Sequence, residues 1–96
     1  MKEGDIMWYA LAELTYRGDR LRRAVEPQEV VIEEVGSGGG YMAKFEKLGT
    51  RYISPGDSKN LYSTKEEAIE VWNSTIYRAM DRAESMYQKF KKRLIL

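Results

Sequence analysis

Residues 63–93 contain neither glycine nor proline, and apolar side chains return among them every three or four positions. Ile69, Trp72, Ile76, Met80, Ala83, Tyr87, Phe90 and Leu94 therefore share one face of a helix. Ser63 with Glu66 three positions on has the form of a capping box, in which each side chain satisfies a free backbone N–H at the helix start. One helix carrying the whole stripe would be roughly 45 Å long at about 1.5 Å per residue. That is more than a small β-rich body built from residues 1–62 can cover. The distal stripe, Met80, Ala83, Tyr87, Phe90 and Leu94, is expected to bury against a returning segment or a second copy of the chain, and so to serve oligomerisation as a homodimer. Asn73-Ser74-Thr75 combines three residues of low helix propensity, and a bend is expected there.

Upstream of residue 63 the pattern changes from helical spacing to short β-type runs. Residues 6–12 are bulky and apolar between Gly4-Asp5 and the turn Tyr16-Arg17-Gly18-Asp19, which favours a strand although Ala10, Leu11 and Ala12 also suit a helix. Pro27 is expected to interrupt any central strand near Glu26-Pro27-Gln28. Residues 30–35 are β-branched and read as a strand. The glycine-rich residues 36–40 then join it to the alternating Tyr41-Met42-Ala43-Lys44-Phe45 as an antiparallel hairpin. Two further short runs, residues 50–53 and 60–62, flank Pro55-Gly56-Asp57. The order is α+β, four or five strands and then one helix, and short strands with glycines at the corners predict a small antiparallel SH3-like barrel or sheet. A chain of 96 residues suffices for a single such domain.

Composition excludes more functions than it selects. The sequence has no histidine and no cysteine, which removes the commonest general base, the commonest metal ligand, the thiolate nucleophile and the disulfide. The adjacent carboxylates Glu33-Glu34 and Glu66-Glu67 diverge on a strand or a helix, so neither pair converges on one substrate atom. No enzyme, cofactor or metal is expected. The formal net charge is +1, with residues 1–62 at −1 and residues 63–96 at +2, too even to draw the whole chain to nucleic acid. No apolar run approaches a membrane span and the N-terminus lacks the order of a signal peptide, so a cytoplasmic protein without a membrane partner is expected.

Two segments attract a binding hypothesis. Residues 36–40 are followed by a strand and lack Gly-Lys-Ser or Gly-Lys-Thr, so they read as a hairpin and not a phosphate cradle. Tyr16, Arg17, Arg20, Arg22 and Arg23 place four guanidiniums beside an aromatic ring. Such a group suits an acidic protein surface, a single-stranded nucleic acid or plain solvation. Tyr77 and Tyr87, at the edge of the helical stripe, are additional candidate anchors for a protein partner.

The runs Gly4-Asp5-Ile6-Met7-Trp8-Tyr9, Glu26-Pro27-Gln28-Glu29-Val30-Val31-Ile32 and Leu61-Tyr62-Ser63-Thr64-Lys65-Glu66-Glu67-Ala68 resemble, over residues 4–72, small β-barrel accessory proteins of bacteriophages and prophages. The resemblance implies a non-catalytic inhibitor, of the anti-CRISPR or other counter-defence kind, that binds a host protein complex such as a CRISPR effector. The alternatives are a small single-stranded nucleic-acid-binding barrel and a phage structural or assembly component.

Overall fold

The computed structural model describes residues 1–18, 20–83 and 86–96. Five antiparallel strands, β1 (Ile6–Leu14), β2 (Leu21–Val35), β3 (Tyr41–Phe45), β4 (Gly49–Ile53) and β5 (Leu61–Tyr62), form one sheet in the order β4-β3-β2-β1-β5. A 3-10 turn, Asp57–Asn60, precedes β5, and two helices follow, α1 (Lys65–Arg82) and α2 (Tyr87–Lys91). The α+β order read from the sequence is the observed one.

Pro27 does not interrupt its strand. The register runs Tyr9 opposite Gln28 and then Leu11 opposite Val25, so β2 carries one extra residue around Glu26 and Pro27. A bulge is where a strand tolerates a residue without an N–H. Two more bulges, near Arg22 and near Glu33, bend the same strand. They let residues 21–31 pair with β1 and residues 30–35 with β3, the two stretches overlapping at Val30 and Val31. Where β3 leaves, the buried Gln28 side chain accepts a hydrogen bond from the Lys47 backbone N–H at 3.1 Å, and Glu46 N–H donates to the Glu29 carbonyl.

Strands β4 and β5 lie at opposite edges, yet only residues 54–60 connect them. Four inter-strand spacings put the edges of a flat five-stranded sheet about 19 Å apart. The sheet curls, so that Ile53 of the edge strand β4 shares a core with Tyr9 and Leu11 of β1, three strands away. Of the barrel or sheet expected, the structure has the sheet, curled and open. Among the described residues no ladder joins β4 to β5, and β5 at two residues pairs only with β1.

Each face of the sheet has its own core. The inner face collects Tyr9, Leu11, Val30, Ile32, Ala43, Phe45 and Ile53, with Tyr9 and Phe45 edge to face at 5.1 Å. On β1 the alternate residues Ala12 and Leu14 point the other way and pack beneath α1 against Trp72, Ile76, Ala79 and Met80. The helix starts one residue later than the sequence signal indicated. Thr64 is the N-cap, its hydroxyl accepting from Glu67 N–H at 3.2 Å, so the working motif is Thr64-x-x-Glu67.

The predicted 45 Å helix is also corrected. α1 runs unbroken through Asn73-Ser74-Thr75 and ends at Arg82, where Ala83 leaves helical geometry; the continuity expected across Glu84 and Ser85 lies outside the described residues, as does Asp19 of the first predicted turn. Three hydrogen bonds then tie the C-terminus back to the middle of α1. Trp72 Nε1 donates to the Arg93 carbonyl at 2.8 Å, Asn73 Nδ2 to the Ile95 carbonyl at 2.6 Å, and Ile95 N–H to Asn73 Oδ1 at 2.9 Å. The stripe expected to pair with a second copy is thereby covered from within. Met80, Ala83 and Phe90 are buried, and Leu94 and Ile95 pack against them.

Candidate functional site

The inner core is left open at one end, between the β1–β2 hairpin, the turn joining β3 to β4, and the 3-10 turn. The opening is a groove of about 400 Å³ with Tyr9, Leu11, Val25, Phe45 and Ile53 among its apolar lining and Arg23, Arg51, Tyr52 and Asp57 among its polar one. It exists because β2 parts from β3. Residues 21–28 of β2 have β1 on one side and no strand on the other, and β4 is likewise paired only with β3.

The rim is fixed by charge. The bulge at Arg22 brings both Arg22 and Arg23 to Glu13, at 2.5 Å and 3.4 Å, and Arg23 reaches on to Asp57 at 3.0 Å. That last bridge fastens the 3-10 turn to the hairpin across the mouth of the curled sheet. The hydrogen bond from Arg22, with its charge and that of Arg23, holds the Glu13 carboxyl below the usual carboxylate range against the opposing effect of desolvation. Asp57 in turn raises the Arg23 guanidinium. Burial, seconded by Asp57, pushes the Tyr9 phenol up, with Asn60 and Arg23 pulling the other way. The Asn60 side-chain nitrogen is buried and has no hydrogen-bond partner among the described residues.

The predicted binding residues separate into three groups. Arg22 and Arg23 are engaged by acids and act as fasteners of the fold. Tyr16, Arg17 and Arg20 stand exposed on the connection between β1 and β2, Tyr16 fully so, and neither arginine makes an ion pair with a described residue. Tyr77 on α1 and Tyr87 on α2 are about half exposed, Tyr87 beneath the Lys91 ammonium at 5.9 Å. The groove residues Arg51, Tyr52 and Asp57 were not singled out by the sequence reading. Their signal, an exposed aromatic and an arginine on a strand with only one neighbour, depends on knowing which strand lies at the edge.

Among the described residues no three acidic side chains are grouped to hold a metal ion, and no helix is long and apolar enough to cross a membrane. No family model, curated protein or solved structure matches this chain. The groove and its rim are therefore read on their own chemistry.

Proposed function

We propose that this chain is a non-catalytic binding protein whose open groove receives an extended segment of a protein partner. The observation that carries the reading is an apolar floor lying beside a strand edge with no neighbour. Backbone N–H and C=O groups along the free side of β2 offer a ladder to an added strand, and side chains on one face of that strand reach Tyr9, Phe45 and Ile53. Arg51, whose guanidinium makes one long hydrogen bond among the described residues, to the Thr50 carbonyl, favours an acidic residue in the segment. The exposed Tyr52 ring provides the aromatic anchor typical of interface centres. The phage-type resemblance gives this partner a setting, a host protein machine in the bacterial cytoplasm that the chain blocks by stoichiometric binding, as an anti-CRISPR inhibitor does.

The test is affinity capture from nuclease-treated host lysate with the intact chain and with Tyr52→Ala, Arg51→Glu and Arg20→Glu variants. A defined protein held by the intact chain and by Arg20→Glu, with affinity about 30-fold lower for Tyr52→Ala, is the expected result. Equal retention by Tyr52→Ala and Arg51→Glu would place the partner elsewhere and refute the groove.

A further inference from the structure

A second crevice, of about 180 Å³, lies between the β1–β2 hairpin and the C-terminal segment. Arg20, Lys89 and Arg93 contribute its charge, and Leu21, Met86 and Phe90 its apolar wall. The sequence places these cations some seventy residues apart, in two runs with separate explanations, a loop and a helix end. Folding brings the two runs together, because Trp72 and Asn73 draw the C-terminus back along α1.

We propose that this crevice binds the phosphate backbone of a single-stranded nucleic acid. Three cations converge there without an acidic side chain among the described lining residues. One of them is held in place: the Arg93 guanidinium lies 5.8 Å from the centre of the Trp72 ring, and its backbone carbonyl accepts the Trp72 indole N–H. A fixed guanidinium loses less freedom on binding a phosphate than a free surface arginine. The hairpin adds a stacking face. Thr15 N–H donates to the Arg20 carbonyl at 2.9 Å, closing the loop that carries both Arg20 and the fully exposed Tyr16 ring. Cations that follow a backbone and an uncovered aromatic on the same loop are the two components of sequence-tolerant single-strand binding.

The site is distinct from the groove, and the experiment separates them. Binding of a fluorescent oligothymidylate to the full chain is followed by anisotropy over a range of salt concentrations, with Tyr16→Ala, Arg20→Glu, Lys89→Glu and, as a groove control, Arg51→Glu. Three neutralised phosphates predict a log–log salt slope of roughly −2, at about 0.7 per phosphate on a single strand. Arg20→Glu and Lys89→Glu should each weaken binding by about tenfold, and Tyr16→Ala by about fivefold or more, with Arg51→Glu unchanged. Circular dichroism confirms that each exposed-site variant remains folded. Undetectable binding, a salt-independent affinity, an equal loss in Arg51→Glu, or equally effective competition by polyglutamate or inorganic phosphate would each overturn the proposal.

Discussion

Asn73→Ala separates two accounts of one residue by the sign of the effect. Read as a helix position, Asn73 is a weak helix former, and replacing it with alanine should stabilise α1 by roughly 0.6 kcal/mol. In the structure its amide both donates to the Ile95 carbonyl, at 2.6 Å, and accepts from the Ile95 N–H, at 2.9 Å. Two hydrogen bonds of about 1 kcal/mol each are lost in the variant. Both ends are partly buried, so water recovers some but not all of that loss. With the propensity gain set against it, the net destabilisation is about 1 kcal/mol, or about 4–8 °C in Tm for a domain of this size.

The assay is thermal unfolding by circular dichroism beside Ser74→Ala, an exposed neighbour on the same helix. Ser74→Ala should raise Tm slightly, because it changes propensity alone, while Asn73→Ala lowers it. Hydrogen exchange supplies an independent readout, since the Ile95 amide should exchange faster in Asn73→Ala while amides early in α1 keep their protection. An unchanged or raised Tm for Asn73→Ala would refute the clamp. Loss of the clamp should also loosen Arg93 over Trp72, so the same variant should weaken oligothymidylate binding without touching the crevice.

Two further perturbations probe the rim of the groove. The Glu13 carboxyl is depressed in the folded chain, chiefly by Arg22, so its contribution is present above the unfolded carboxylate's pKa and is lost as pH falls through the lower folded value. The stability difference between the native chain and Glu13→Gln should thus shrink as pH falls from ~6 to ~3, and shrink at high salt because the pair is exposed; a difference constant over that interval would remove Glu13 as a fastener. Gly40 is buried beneath the Tyr52 ring, and a β-carbon there would overlap the phenol oxygen and lie 2.7 Å from the ring carbon that bears it. Gly40→Ala should cost about 1–3 kcal/mol by displacing the ring, and the cost should disappear in a Tyr52→Ala background; an equal cost in both backgrounds would show that the glycine is needed for its backbone instead.

The parts of this fold legible in sequence were those set by local chemistry. The β-branched run at residues 30–35, the glycine-rich hairpin and the helical stripe all carry a period that burial on one face imposes. What was not legible depended on partners distant in the chain. Pro27 looked like a strand breaker, since nothing local indicates that Ala10 lies opposite a bulge. The extent of α1 was overestimated because Ala83 and Phe90 keep the apolar period across the break, so the stripe reads as one helix when it is two segments covering one another. Asn73 read as a weak point of the helix, whereas its side chain, short enough to reach a returning backbone and able both to donate and to accept, holds the C-terminus.

The same dependence on distant partners explains why the two binding surfaces were seen only in fragments. The arginines of residues 17–23 read as one cluster in sequence, yet the bulge in β2 divides them: Arg22 and Arg23 turn to Glu13 and Asp57, and Arg17 and Arg20 remain exposed. The divided pairs have different consequences. Arg23 closes the mouth of an open sheet against the 3-10 turn and so shapes a groove suited to an extended peptide. Arg20 meets Lys89 and Arg93 only because the chain's end is clamped to Trp72 and Asn73. A helix that ran on straight, as its periodicity suggests, would carry Lys89 and Arg93 roughly 20–30 Å beyond Trp72 and leave no crevice. The turn back at Ala83 is therefore what makes a cationic site from two unremarkable runs of charge, and it does so with the apolar residues that would otherwise have called for a second copy.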